Sequence, residues 1–184
     1  MTKIAVVFHS GYGHTTKQAE SIAKGAQATL VQINAEGELT EDQWATLNSA
    51  DAIIMGSPTY MGTVTWQFKK FADASSKVWF TQGWKDKVFA GFTNSASMNG
   101  DKHSTIHYLI TLAMQHSGVW IGSGMMPANS KAAQRNDTNY LGSFAGAMMQ
   151  TPSDASADEV LPGDLETARL FGERIAKITS QFKA

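Results

Sequence analysis

Near its amino terminus the chain carries IAVVFHSGYGHTT, residues 4–16, and this stretch decides the fold. Ile4–Phe8 is short, continuous and rich in β-branched residues, which is typical of a strand covered on both faces of a sheet. A loop with two glycines follows. Apolar residues between Ala19 and Ala26 then recur at i, i+3, i+4 and i+7, the spacing of one helix face. Strand, glycine loop and helix in this order predict the first unit of an α/β fold.

The same alternation continues along the chain. Further strands are predicted at 29–33, 52–55, 88–92 and 119–121. Helices are predicted around 40–47, 68–72, 106–113 and 164–182, with Thr40 and Asp164 as amino-terminal caps. Such alternation implies parallel strands joined by right-handed crossovers, and five of them most often take the order 2-1-3-4-5. We therefore expect a five-stranded parallel sheet between two helical layers.

Composition limits the classes of function. The chain has 184 residues, 42% of them hydrophobic and 17% charged, as in an ordinary globular domain. Its formal charge of −1 offers no broad basic field for nucleic acid or an anionic membrane. Cysteine is absent, which excludes disulfides, thiolate metal sites and cysteine nucleophiles. The first apolar run is too short for a signal peptide or a membrane span, so we expect a cytoplasmic protein.

Residues 122–163 do not fit a simple helix–strand connection. The segment is about forty residues long and rich in Gly, Ser and Ala. Unstructured segments of this length in compact domains are usually functional lids or partner contacts. We therefore predict one domain over residues 1–184, with a long loop or lid at about 122–163.

Three hydroxyl-rich loops follow three of the predicted strands: Ser10–Thr16, Ser57–Gly62 and Thr93–Gly100. Ligands in open α/β sheets bind beyond the carboxyl ends of the strands, so these loops predict one composite site. In the first loop Gly11 and Gly13 allow a close approach to an anion, and the following helix presents its unpaired N–H groups. This predicts a phosphate site, although an ordinary strand–helix turn with threonine caps fits that loop equally well.

The first loop lacks the sequence motifs of two other kinds of nucleotide-binding site. It has no Gly-Lys-Ser/Thr, which a Walker loop needs, and Thr16 replaces the third glycine of the dinucleotide fingerprint. The other two loops favour a flat ring. Tyr60 supplies an aromatic face after Pro58, and the amides of the Thr93–Gly100 loop can bind the polar edge of a heterocycle. Taken singly, each is also consistent with a structural turn; together they predict bound FMN.

Three histidines are candidate functional groups. His116 follows the fourth long helix, where it could stand beside a second substrate or simply interact favourably with the helix dipole. His103 and His107 have the i, i+4 spacing of metal ligands, but no third ligand is evident. We expect an exposed helix face there and predict no metal site.

Four stretches resemble the flavodoxin-like family of FMN-binding proteins, and most closely its WrbA-type NAD(P)H:quinone oxidoreductases. They are HSGYGHTTKQAESIAKGA, DAIIMGSPTYMGTVTWQFKKFAD, VFAGFTNSASMNGDK and MQHSGVWIG. The resemblance covers residues 3–122 and, more loosely, the terminal helix. It implies a flavodoxin-like three-layer sandwich and an FMN site.

The resemblance also implies roles for individual residues. The phosphate would be held by Ser10, Tyr12, Gly13, His14, Thr15 and Thr16. One side of the isoalloxazine would be lined by Pro58, Thr59, Tyr60, Met61 and Gly62. The other side would be lined by Thr93, Asn94, Ser95, Ala96, Ser97, Gly100 and Asp101. His116 would stand over the ring as the catalytic residue.

The expected activity is transfer of hydride from NAD(P)H through FMN to a quinone or similar small acceptor, by a homodimer or homotetramer. Two alternatives stay open. A flavodoxin-type electron carrier is expected to be strongly acidic so that it docks on basic partners, and a charge of −1 argues against it. An FMN-binding redox or regulatory module acting through the long segment is the other.

Overall fold

The structure, a computed structural model, describes residues 2–183. Its strands are β1 (Ile4–Phe8), β2 (Thr29–Gln32), β3 (Ala52–Pro58), β4 (Val88–Ser95), β5 (Val119–Trp120) and β6 (Ala147–Gln150). Its α-helices are α1 (His14–Ala26), α2 (Glu41–Ser49), α3 (Trp66–Ala74), α4 (Ser76–Phe80), α5 (Lys102–Gln115) and α6 (Pro162–Lys183). A single 3₁₀ turn, Ala157–Glu159, precedes α6.

The sheet is parallel with the order β2-β1-β3-β4-β5, which confirms the predicted topology. Each face carries its own apolar cluster because β1, β3 and β4 are buried on both sides. One cluster joins β1, β3 and β4 to α1 and α6. The other joins them to β2, α2, α3 and α5. The result is the expected sandwich of helices, sheet and helices.

The fifth position of the sheet is divided between two strands. β5 pairs with the start of β4, at Val88 and Phe89, whereas β6 pairs with its end, from Phe92 to Ser95. The chain leaves the sheet after β5 and returns to it at β6. The prediction of a loop or lid over 122–163 is therefore wrong for Ala147–Gln150, which is a strand. Its run, Ala-Met-Met-Gln, has no β-branched residue and gives a weak strand signal.

The two predicted helix caps have different outcomes. Thr40 caps α2 as predicted, with Gln43 N–H donating to its hydroxyl (3.3 Å) and Thr40 N–H donating to the Gln43 side chain (2.9 Å). The prediction for Asp164 is wrong, because α6 begins two residues earlier. Proline is favoured in the first turn, and Pro162 starts the helix. Asp164 instead lies inside that turn, buried, and binds Arg135 through both carboxylate oxygens at 2.7 Å.

Two further features bear on function. No helix within residues 2–183 is long and apolar enough to cross a membrane. The same residues contain no group of three side chains arranged to hold a metal ion. His103 and His107 lie on the exposed face of α5 with their rings 6.5 Å apart.

Candidate functional site

A cleft of about 320 Å³ lies at the carboxyl ends of β1, β3 and β4. All three predicted loops contribute to its walls, and the segment after β6 adds a fourth wall. The lining residues are Tyr12, His14, Thr15, Pro58, Thr59, Tyr60, Asn94, Ser95, Ala96, Thr151 and Ser153. None of these is acidic.

The loop after β1 is shaped to hold an anion. Gly13 has φ +90° just before α1, and a Cβ there would lie 3.0 Å from the Cβ of Ala157. The hydroxyl of Ser10 accepts hydrogen bonds from Gly13 N–H (3.1 Å) and Thr16 N–H (3.2 Å), which folds the loop onto the helix. Because His14 and Thr15 line the cleft, the positive end of the α1 dipole points towards it.

His14 joins this loop to the segment after β6. Its Nε2 lies 2.8 Å from the carbonyl oxygen of Ala155. A carbonyl can only accept, so Nε2 carries a proton and donates it to Ala155. The exposed pair Lys17–Asp158 (2.9 Å) makes a second link between the same two segments.

A chain of threonine hydroxyls fixes the loop after β3. The Thr59 hydroxyl lies 2.9 Å from that of Thr93 and 2.7 Å from that of Thr105. Thr59 N–H also donates to the carbonyl of Asn94 at 2.8 Å. Loop, strand β4 and helix α5 are therefore joined beneath the cleft.

Tyr60 stands at the mouth of the cleft on a tight turn. Its N–H and carbonyl both pair with Thr63, and Met61 (φ +48°) and Gly62 (φ +86°) form the tip. The side chain of Met61 is fully exposed. The rings of Tyr60 and Tyr12 lie 6.1 Å apart between centroids with their planes tilted by 60°, and partial burial raises the pKa of Tyr60. The turn therefore presents the tyrosine to the cleft and leaves Met61 in solvent.

This cleft meets the requirements of FMN. A phosphate can lie at the start of α1, where Gly13 leaves room that a Cβ would fill. Hydroxyls, amides and backbone groups line the middle of the cleft, and Tyr12 and Tyr60 provide aromatic surface at its mouth. No lysine or arginine lines the cleft, so the helix dipole and N–H groups supply positive potential there.

Several residues predicted for the site lie beside the cleft and do not line it. Thr93 is fully buried below it and reaches it only through Thr59. Ser10 lines the neighbouring cavity described below. The others outside the lining are Gly13, Thr16, Met61, Gly62, Ser97, Gly100 and Asp101. Among them, Gly13 and Gly62 shape the backbone of their loops through positive φ values of +90° and +86°.

The prediction that His116 stands over the site is wrong. Helix α5 begins at the carboxyl edge of the sheet and is 14 residues long, so it ends about 20 Å away, at the opposite edge. There the Nε2 of His116 lies 2.9 Å from the Ser75 hydroxyl, and its ring centroid lies 4.6 Å from that of Trp84. The ring is 3% exposed, and burial lowers its pKa. It belongs to the core.

Four residues of this region were not predicted from the sequence. Thr151 and Ser153 line the cleft, Thr105 ends the hydroxyl chain, and Lys102 lies behind the third loop. Thr151 and Ser153 could have been found from the sequence. The stretch Met148-Met149-Gln150-Thr151-Pro152-Ser153 has a short apolar run followed by hydroxyl residues and a proline, like the loop after β3.

A second cavity, of about 650 Å³, adjoins the cleft on the side of β2. Tyr12 and Tyr60 line both spaces and separate them. The remaining walls include Trp66, which is 62% exposed, and the amides Gln32, Asn34 and Gln67. The buried ring of His9 also contributes, with its Nδ1 3.0 Å from the Thr65 hydroxyl. Aromatic and amide groups side by side suit a planar, uncharged ring.

Comparison with known proteins gives a consistent result. Residues 14–133 match the family described as NADPH-dependent FMN reductase. The chain is 53% identical to flavodoxin FldP of Pseudomonas aeruginosa, over the whole of both chains. It is 30% identical to an NAD(P)H dehydrogenase (quinone) of Sinorhizobium fredii, over 98% of each.

A solved structure agrees in both sequence and fold. The WrbA-like flavodoxin protein from Agrobacterium tumefaciens superimposes with a TM-score of 0.83 and 51% identity, over 98% of this chain and 99% of that one. An archaeal flavodoxin with 17% identity and a TM-score of 0.64 shares the fold. The resemblance found in the sequence motifs is confirmed.

Proposed function

Because this chain belongs to the NADPH-dependent FMN reductase family of flavodoxin-like proteins, we propose that it is an FMN-dependent oxidoreductase that takes electrons from NAD(P)H and passes them to a quinone or similar small acceptor. The observation that carries the proposal is the cleft itself. Segments following β1, β3, β4 and β6 converge on it, and the start of α1 points into it.

The protein would contribute binding and orientation. The loop Ser10–Thr16 and the start of α1 would hold the phosphate of FMN. Pro58, Thr59 and Tyr60 on one side, and Asn94, Ser95 and Ala96 on the other, would hold the ring. FMN, when bound, supplies the electron-transfer chemistry between donor and acceptor. No side chain of the cleft is required as an acid or base in this scheme.

The adjoining cavity supports a place for the second reactant. Trp66 and Tyr60 offer aromatic faces, and Gln32, Asn34 and Gln67 offer neutral hydrogen-bonding groups. A nicotinamide or a quinone has both a flat ring and carbonyl acceptors, so either can use these groups. Donor and acceptor would then bind in turn, since both need access to the same ring.

The first experiment is anaerobic addition of NADPH, and separately NADH, to protein loaded with FMN while the visible absorbance of the flavin is followed. Rapid bleaching that a quinone reverses is the expected result. Protein that binds FMN but is not bleached by either nucleotide contradicts the reductase activity. Protein that does not take up FMN contradicts the assignment of the cleft.

One observation favours a second candidate, an electron carrier without turnover of its own. The relative that is 53% identical is named a flavodoxin. Three exposed acidic residues, Asp154, Asp158 and Glu159, follow the cleft residues Thr151 and Ser153 and could face a basic partner. Binding of FMN without bleaching by NAD(P)H, together with rapid reduction by a reductase protein, is the result this candidate predicts.

A further inference from the structure

Lys102 is a buried lysine directly behind the loop that follows β4. Its side chain is 1% exposed. Its ammonium donates to the Ser95 hydroxyl (2.7 Å), the Ser97 carbonyl (2.7 Å) and the Met98 carbonyl (2.9 Å). An ammonium group has three protons, so each of the three bonds uses one of them.

The loop carbonyls are satisfied by side chains from behind. Ser97 and Met98 use Lys102, and the Ala96 carbonyl accepts from the Gln150 side chain at 2.7 Å. In a trans peptide the following N–H points the opposite way from the carbonyl. The N–H groups of Ser97 and Met98 are therefore directed away from Gln150 and Lys102, and they have no partner within residues 2–183.

The backbone confirms that this loop packs closely on the lysine. Gly100 and Asp101 both have positive φ, +53° and +51°. A Cβ on Gly100 would lie 2.3 Å from the Ser95 hydroxyl, which is one of the three acceptors of Lys102. The turn therefore closes around the ammonium group, and Ala96 lines the cleft on the other side of the same loop.

We propose that Lys102 is a positioning residue that turns the carbonyls of the Ser95–Met98 loop inward, so that its free N–H groups face the flavin ring and set both the affinity for FMN and the potential of the bound cofactor. This inference rests on the proposed binding of FMN in the cleft. N–H groups aimed at an electron-rich ring edge stabilise negative charge that develops on reduction.

The charge state of Lys102 gives the proposal a distinctive readout. Burial lowers the pKa of this amine to about 8, against the opposing effect of Asp164 on α6, while Arg135 lowers it further. Below that pH the ammonium makes all three bonds. Above it the neutral amine has two protons for three acceptors and no charge, so it holds the loop less firmly and affinity for FMN falls. The phosphate of FMN, with a second pKa of about 6, does not titrate in this range.

The test compares Lys102→Met with Lys87→Met. Lys87 also donates to backbone carbonyls, those of Leu47, Asn48 and Ala50, and burial lowers its pKa, but it lies at the opposite edge of the sheet. The Kd for FMN is measured by quenching of flavin fluorescence between pH 7 and 9, and the midpoint potential by spectroelectrochemistry. Lys102→Gln serves if the methionine variant does not fold.

We expect Lys102→Met to weaken FMN binding about tenfold or more at pH 7. The midpoint potential of the bound FMN should become more negative, and the Kd for FMN should no longer depend on pH between 7 and 9. Lys87→Met keeps all three wild-type values. Unchanged Kd, potential and pH profile in Lys102→Met overturn the inference while the proposed function stands, as does a wild-type Kd that is flat over this range. Tight FMN binding without bleaching by NAD(P)H overturns the reductase function alone.

Discussion

The parallel strands start at one edge of the sheet, the amino edge, and end at the other, the carboxyl edge. Both edges carry histidine and lysine side chains, but these have different roles. At the amino edge, His116 packs on Trp84 and forms a hydrogen bond with Ser75. Lys87 donates to a backbone carbonyl at the carboxyl end of α2. At the carboxyl edge, His14 and Lys102 bond to backbone carbonyls of segments around the cleft. Histidine and lysine stabilise the core at one edge and tie the segments around the cleft in place at the other.

The difference lies in what the surrounding backbone leaves unpaired. At the amino edge Gly118 N–H bonds to Ala113 and Ser117 N–H to Met114, so the end of α5 is closed by its own chain. At the carboxyl edge the start of α1 points towards the cleft, and the N–H groups of Ser97 and Met98 have no partner within residues 2–183. A ligand can bind there because polar groups without protein partners converge there.

The largest expected effect comes from placing a side chain in the phosphate loop. Gly13→Val adds a β-branched residue at φ +90° and fills the space beside Ala157. We expect FMN affinity to fall by about 100-fold, because strain of roughly 1–2 kcal/mol in the loop adds to the blocked anion position. Titration with FMN measures it.

Gly142→Val is the matched control for that change. Gly142 also has positive φ (+67°), but a Cβ there meets only Pro127 at an ordinary 3.7 Å. Both variants carry backbone strain, and only Gly13→Val should lose the cofactor. Equal loss of FMN in both would mean that global destabilisation, and not the loop, controls binding.

His116→Ala tests the amino edge by itself. It removes a buried ring and its hydrogen bond to Ser75, and we expect the free energy of unfolding to fall by about 2–3 kcal/mol. Denaturant unfolding of the FMN-free protein measures it. At temperatures where the variant is folded, its Kd for FMN and its rate of reduction by NADPH should equal the wild-type values. A selective loss of reduction rate would restore a catalytic role for this histidine.

Trp66→Ala tests the cavity beside the cleft. Loss of this exposed ring should raise KM for the second substrate about fivefold, since one stacking face is worth roughly 1 kcal/mol. FMN affinity should stay within twofold. Trp79→Ala, in the exposed surface near His116, is the control and should change neither quantity. An unchanged KM in Trp66→Ala would remove the second substrate from this cavity.

A smaller effect is expected from pH. Burial lowers the pKa of both His9 and His116 below the ordinary 6.5, so below that pH the unfolded chain binds protons that the folded chain does not. The free energy of unfolding should therefore fall as pH decreases from 7 to 5. His116→Gln removes one of the two contributions, so its curve should be shallower. Identical curves would assign the whole dependence to other groups.

The sequence predicted the framework well because its signals are local. Short apolar runs gave β1 to β4, and the i, i+3, i+4 stripes gave α1, α5 and α6. Strand β6 escaped because its four residues lack β-branching and become a strand only by pairing with Phe92–Ser95 of β4. Helix α4, five residues long, was also missed, since such a helix carries no complete stripe.

Sheet topology predicted which loops form the site, and the length of α5 showed that His116 lies outside it. The carboxyl ends of parallel strands share one edge, so three loops distant in sequence could be assigned to one cleft. The same reasoning failed for His116, because 14 helical residues carry the chain from that edge to the other. Thr151 and Ser153 could not be placed until β6 was known to lie beside β4.

The sequence by itself determined where most strands and helices lie, since these depend on periodicity and turn residues within one segment. The strand order and the cleft beyond β1, β3 and β4 then followed from the rules that parallel α/β sheets obey. Only the tertiary structure decided which way the polar side chains of the helices point. Lys102 and His116 lie at the two ends of one helix. Whether a buried lysine or histidine belongs to a binding site or to the core depends on the carbonyls and rings that pack around it. These groups come from distant parts of the chain, so a local sequence pattern does not predict them.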